Sequence, residues 1–268
     1  MIPSFDLPVY HIGPVPLDPW GILVTIGFMV GLEVARARGL KMGLDVANVV
    51  DGCVFTVLAG FVGGHIVNVV AYHPEQLAEN PVLALARVWA GFSSFGGFIG
   101  AILGITFFFR RVRKVPFWPH ADAIMFGFPF GWIFGRLGCF SVHDHVGRLT
   151  TFPLAVDFPA GEFFSGDPGG ARFDLGLVEA VWTIGIAVAF VVLARKPRPD
   201  RFFPMVWCFL YAPARFGFDF LRNTDITGRA DVRWAGLTPA QWGCILMFGA
   251  GVWLRRKITS AKSANSLP

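Results

Sequence analysis

Long apolar runs separated by short polar segments set the pattern of this chain, and basic residues gather where the runs end. A membrane-crossing helix needs roughly 20 mostly apolar residues, within a range of about 17–25. Seven runs meet that need: Pro19–Ala35, Val49–Tyr72, Phe92–Phe109, Ala121–Val142, Leu175–Ala194, Phe203–Phe220 and Pro239–Leu254. Several hold Gly or Pro, which membrane helices tolerate when neighbours re-satisfy the backbone. The pattern predicts an all-α integral membrane protein of seven transmembrane helices forming a single domain over residues 1–268. No internal repeat is visible.

The polar segments give an orientation. One alternating set carries Arg36, Arg38 and Lys41; Arg110, Arg111, Arg113 and Lys114; Arg195, Lys196, Arg198 and Arg201; and Arg255, Arg256, Lys257 and Lys262. The other set carries only Arg87, Arg148, Arg172, Arg222, Arg229 and Arg233. Cytoplasmic segments are the Lys/Arg-rich ones, so fifteen basic residues against six place the N-terminus outside and the C-terminus in the cytoplasm. The outer segments are longer. Tyr72–Gly91 has a helix-compatible middle that reads as a piece lying along the interface, and His143–Asp174, rich in Gly, Pro, Asp and Phe, predicts a small irregular loop region with short strands. Residues 260–268 read as a disordered tail.

Composition agrees with the pattern. Hydrophobic residues make up 54% of the 268 and charged ones 15%, where a soluble domain carries about 25% charged. The net charge of +5 does not point to nucleic acid, because the basic residues sit at the ends of apolar runs rather than along one face. The four cysteines form no CxxC pair, which argues against a disulfide framework or a structural zinc site. The first residues lack a basic n-region and a small-residue cleavage site, so the first span is expected to direct insertion itself.

The candidate chemistry lies where polar residues interrupt apolar runs. Arg136 stands near the far end of the fourth run, and an arginine at a span's centre costs about 2.5–3.5 kcal/mol on insertion scales. Within seven residues the chain reaches Cys139 and then His143-Asp144-His145. That tripeptide can serve acid–base chemistry or ordinary loop hydrogen bonding; as a zinc site it lacks a third well-spaced ligand, and neither metal nor cofactor is expected. Arg215, Asp219 and Arg222 fall on one helical stripe, either as an internal ion pair or as part of an anion site shared with Arg136. The anion most available to a membrane protein is a phospholipid headgroup. Glu179 could offset one of these charges or act as a base. His65 reads as hydrogen-bonded structure or as a functional group beside Asn68, while Asp51 and Asp122 fit helix N-termini. Gly96, Gly97, Gly100 and Gly104 have small-xxx-small spacing, which serves helix packing or leaves room for a ligand at Gly96 and Gly97.

These residues resemble the prolipoprotein diacylglyceryl transferase family. The likeness runs through PWGILVTIGFMVGLEVARARG (19–39), FVGGHI (61–66), FGGFIGAILG (95–104), GRLGCFSVHDHVGR (135–148), RKPRP (195–199), YAPARFGFDFLR (211–222) and LTPAQW (237–242). The family signature looks like GRxGNFxNxExxGR, so Gly135, Arg136, Gly138, Phe140, Gly147 and Arg148 match. Arg215 and Gln241 match as well. The departures are Cys139 for the family Asn, Asp144 at its acidic position, Phe95 for a His often assigned a catalytic role, His65 for an Arg, and Trp20 for a Tyr. Of the stretch opening the fifth run, little beyond Leu177 and Glu179 is kept.

The resemblance implies a multi-pass protein of the bacterial inner membrane that moves the diacylglyceryl group of phosphatidylglycerol to a cysteine thiol in a prolipoprotein signal peptide. Arg136 and Arg215 are then expected to bind the phosphate, with Arg148 or Arg222 assisting. His143 or His145, with Asp144, would take the acceptor's proton in place of the missing His. His65, Cys139, Gly96, Gly97, Glu179 and Gln241 are the further candidates for substrate contact. Two other readings stay open: a related membrane enzyme that serves a different acceptor, and a non-catalytic phospholipid-binding homologue.

Overall fold

The computed structural model describes residues 1–13, 15–87, 91–226 and 233–265. Its helices are α1 (Pro19–Lys41), α2 (Val46–Val67), α3 (Pro74–Glu79), α4 (Pro81–Ala86), α5 (Ser94–Phe107), α6 (Phe117–Ser141), α7 (Leu175–Leu193), α8 (Phe202–Phe218) and α9 (Pro239–Asn265). A π-helical turn extends α2 through Asn68–Tyr72, another extends α5 through Phe108–Val112, and a 3₁₀ turn at Asp219–Leu221 follows α8. Each of the seven apolar runs is therefore helical. By length and composition, four stretches suffice to cross a membrane: α1, α2 with its π turn, α6 and α7. This is a mostly helical, multi-pass membrane protein.

Helix ends differ from the expectation in ways the caps explain. Asp45, not Asp51, opens α2, its carboxylate accepting from the Ala47 amide at 3.0 Å. Asp51 lies a turn and a half inside and pairs with Arg113. Asp122 likewise sits inside α6, which starts at Phe117. The tail expected to be disordered from Ser260 continues α9 as far as Asn265. Extending a formed helix fixes one residue per hydrogen bond, and Ala261, Lys262 and Ala264 there are good helix formers. Residues 266–268 lie outside the described ones.

The chain divides into two compact units, Met1–Val34 with Met125–Pro268, and Ala35–Ile124. In the second, α2 and α5 meet backbone to backbone. A methyl group added at Gly63 would stand 2.7 Å from both Gly100 Cα and Gly96 O, so the small-xxx-small stripe is consumed by close helix approach. Gly96, whose missing side chain is filled by Gly63 O and Val67, has this packing role; Gly97 is looser, with Gly60 O 3.7 Å away. Phe95 is described only in its backbone. The interfacial piece expected within Tyr72–Gly91 takes the form of α3 and α4.

In the first unit, α1 and α6 cross at Gly27 and Gly131, where a side chain on either would stand 2.6 Å from the other's carbonyl oxygen. Behind this crossing, Ile186 and Phe190 of α7 and Phe203, Trp207 and Tyr211 of α8 form the aromatic core, with Phe126 and Trp132 of α6 packed against it. Trp207 and Tyr211 stack with centroids 4.5 Å apart.

The segments flanking the helices hold short strands. Strands β1 (Ile2–Pro3), β2 (Tyr10–Ile12), β3 (Val15–Leu17), β4 (Val146–Leu149), β5 (Val156–Phe158) and β6 (Gly170–Asp174) form a four-stranded sheet, β1-β5-β6-β4, and a separate β2–β3 hairpin. β1 joins β5 in parallel and the remaining pairs are antiparallel. Val146, Val156, Phe158 and Ile226 bury the sheet's apolar face. The short strands expected within His143–Asp174 are β4, β5 and β6, whereas β1, β2 and β3 escape sequence reading, because two or three residues carry too little alternation to register.

Candidate active site

Helical spacing builds the site. Trp132 and Arg136 are four residues apart on α6, as are Tyr211 and Arg215 on α8, so each arginine follows an aromatic ring on one face. The Arg136 guanidinium lies over the Trp132 ring, 4.7 Å from its centroid. The Trp132 indole donates to Tyr211 Oη at 3.2 Å, and Tyr211 donates to Glu179 Oε2 at 2.8 Å. Gly176 lets the start of α7 close onto α6, since a Cβ there would be 2.7 Å from the Phe140 amide and 3.0 Å from Arg136 O. That approach delivers Glu179.

Glu179 is the hub. Its side chain is 1% exposed, with Arg136 Nε 3.1 Å from Oε2 and Arg215 Nε 3.0 Å from Oε1. Arg215 also donates from Nη1 to Asp219 Oδ1 at 2.7 Å, and Arg222 Nε donates to the same oxygen at 2.9 Å. Asp219 is fully buried, and its other oxygen accepts from the Thr238 hydroxyl. Three guanidinium groups thus share Glu179 and Asp219, with Arg136 and Arg215 converging on Glu179. Buried charge of this kind is stable only when paired and hydrogen-bonded.

The other candidate residues divide between this cluster and structural work. Gln241 belongs to a capping box: its Oε1 accepts from the Thr238 amide at 3.0 Å and its amide donates to Thr238 Oγ1 at 3.2 Å. Its Nε2 reaches Phe216 O at 3.2 Å, tying the start of α9 to the end of α8. These bonds hold the Gln241 side chain between Thr238 and Phe216. His65 is buried in the second unit and donates from Nε2 to Leu85 O at 3.2 Å, a structural bond. Arg148 is exposed on β4.

The two loop histidines, either of which was expected to take the acceptor's proton, point to different partners. His143 has φ +45°, which turns its ring into a cage of Phe5, Phe140 and Phe158, and its Nδ1 meets Asp174 Oδ2 at 2.8 Å. Asp174 also caps α7 through the Leu177 amide at 3.2 Å. His145 turns the other way, bonds Asp144 through Nδ1, and remains a quarter exposed. Asp144 and His145 fold back toward Cys139, whose Sγ is 4.0 Å from Arg136 Nη1. Sequence reasoning passed over Tyr211 and Trp132, although their i, i+4 relation to the arginines was available.

The loop that carries β4 to β6 is fastened beside this cluster. Gly147 bridges Arg222 across the strand edge, and Asn223 Nδ2 donates to Val146 O at 2.8 Å. Arg172, 1% exposed, donates to Asp225 at 3.0 and 2.5 Å. That pairing holds the Asp225 carboxyl below the ordinary aspartate range. A depressed carboxylate pKa adds stability above the unfolded-state value and loses it as pH falls through the folded-state value. Acidification below about pH 4 is therefore expected to loosen this loop, and Asp225→Asn to remove that part of the pH dependence. Thermal melting of both proteins between neutral and acid pH checks this; identical slopes would refute it.

An apolar groove of about 280 Å³, lined by Leu7, Tyr10, Leu17, Pro19, Ile22 and Leu23, opens at the start of α1 and shares no residue with the arginine cluster.

Comparison with known proteins fixes the lineage. The sequence model for prolipoprotein diacylglyceryl transferase matches residues 8–256. The chain belongs to the prolipoprotein diacylglyceryl transferase family. Relatives named phosphatidylglycerol–prolipoprotein diacylglyceryl transferase include the protein of Pasteurella multocida (strain Pm70), 33% identical over 83% of this chain and 81% of the relative. The protein of Azoarcus sp. (strain BH72) is 30% identical over 97% and 98%. That of Acinetobacter baumannii (strain ACICU) is 29% identical over 94% and 92%. Against the signature read from the sequence, this member of the family keeps Arg136 and carries Cys139 for the Asn and Asp144 at the acidic position, and these two meet His145.

Proposed function

We propose that this chain transfers the diacylglyceryl group of phosphatidylglycerol to a cysteine thiol of a prolipoprotein signal peptide, releasing glycerol phosphate. The observation that carries the reading is the convergence of two buried guanidinium groups, Arg136 and Arg215, on the single carboxylate of Glu179. Guanidinium forks suit the phosphate oxygens of an anionic headgroup.

In the reaction, the acceptor sulfur bonds to the glyceryl carbon that carries the phosphoester oxygen. The carbon–oxygen bond breaks, and its electron pair stays with the phosphate. Arg136 and Arg215, with Arg222 behind them, stabilise the charge that grows on the leaving phosphate, where fixed cations in low dielectric contribute most. A free thiol has a pKa of about 8.5 and reacts as thiolate, so its proton must be lost at the site. The locus of Cys139, Asp144 and His145, next to Arg136, is assigned that step.

The proposal includes the finer topology: seven crossings in one catalytic domain of the bacterial inner membrane, the N-terminus outside, the C-terminus cytoplasmic and the sheet on the periplasmic face. It is tested with the purified protein in phosphatidylglycerol vesicles and a lipobox peptide. Mass spectrometry is expected to show the peptide gaining a diacylglyceryl thioether and glycerol phosphate appearing in step. A folded preparation that yields neither, while a family relative does so in parallel, would overturn the reading. Lipid products without peptide modification would point to another acceptor, the reading that the changed residue at Phe95 favours.

A further inference from the structure

We infer that Cys139, Asp144 and His145 form a binding site for a zinc-class divalent metal ion. One donor atom from each lies within 4.8 Å of the other two. Tetrahedral zinc with bonds of 2.0–2.3 Å spaces its ligands roughly 3.3–3.8 Å apart, so the donors need to close by about 1 Å. Asp144 and His145 lie in the turn between α6 and β4, where that movement costs no helix, and Cys139 is fixed near the end of α6.

The donor chemistry selects the ion. A thiolate, an imidazole and one carboxylate suit zinc and its borderline neighbours, whereas magnesium and calcium take oxygen shells. Thiolate and carboxylate together cancel a dication's charge. Arg136 Nη1, 4.0 Å from the sulfur, then faces no net positive charge. The pairing first considered for zinc, His143 with His145, is ruled out by geometry, because His143 is held by Asp174 within its phenylalanine cage. The third ligand is Cys139, five and six residues earlier in sequence.

Three protein ligands leave a tetrahedral position open. A thiol that entered it would be held as thiolate, its proton leaving with the water it displaces from that position, and this would supply the deprotonation that the transfer requires. That use rests on the transferase reading; the binding of the ion does not.

The test reads metal directly, apart from turnover. The purified protein, stripped by chelator and reloaded with zinc, is expected to retain about one ion per chain. Loaded with cobalt(II), it is expected to show a sulfur-to-cobalt charge-transfer band. Cys139→Asn and His145→Asn should each lower retained zinc by more than about tenfold, and Cys139→Asn should abolish the band. Cys208→Ser and Cys244→Ser, at buried thiols in other helices, should leave both unchanged. Unaltered protein that retains no zinc and shows no band overturns the inference even if the variants fail to fold. So does a band that survives Cys139→Asn.

Discussion

An Arg136→Ala protein is expected to fold and to lose diacylglyceryl transfer by about 10²–10³-fold or more, the range seen when one preorganised donor to a developing anion is removed. Folding is expected to survive because Glu179 keeps Arg215 at 3.0 Å and the Tyr211 hydroxyl at 2.8 Å, so no carboxylate is left buried alone. Arg136→Lys restores the charge without the planar fork or the guanidinium's stacking on Trp132, and should recover only part of the rate. Rates at saturating phosphatidylglycerol separate the effects. A fall in kcat marks charge stabilisation in the transition state, whereas a rise in KM alone marks uniform binding. A well-folded Arg136→Ala protein that turns over at the normal rate would remove the phosphate from this site.

Glu179→Ala should be the most destabilising change in the cluster. Among the described residues it takes away the carboxylate paired with Arg136 and half of the compensation of Arg215, in a place where both guanidiniums are largely buried. Breaking a buried pair by removing one partner costs about 3–5 kcal/mol, because an uncompensated charge remains. Glu179→Gln retains the shape and an oxygen for Tyr211, so its melting point should fall less. It also removes the negative charge between Arg136 and Arg215, so added inorganic phosphate should stabilise Glu179→Gln more than the unaltered protein. Thermal unfolding in detergent, with and without phosphate, measures both effects. A Glu179→Ala protein that melts like the parent would show that the two arginines do not depend on this carboxylate.

Much of this was readable along the chain because it is local. Thr238-Pro-Ala-Gln241 is a capping box by spacing alone, and the structure forms it. The glycine stripe of α5 announced close packing, which Gly63 and Gly100 supply. The stripe Arg215–Asp219–Arg222 needed only helical periodicity, and Asp219 accepts from both arginines. Glu179 was recognisable as a buried acid, but that it bridges Arg136 and Arg215 depends on Gly176 bringing α7 against α6, a contact between segments about forty residues apart.

The loop histidines mark the same boundary. His143-Asp144-His145 reads as one unit, yet a positive φ at His143 sends its ring to Asp174 and leaves His145 with Asp144 beside Cys139. What the chain determined by itself is the helical placement of the apolar runs, the caps and the stripes, since hydrophobic period and hydrogen-bonding end groups act over a few residues. Tertiary structure decided which charges share a carboxylate and which donors converge. Those depend on distances between elements remote in sequence, where Coulomb energy and coordination change steeply with each ångström.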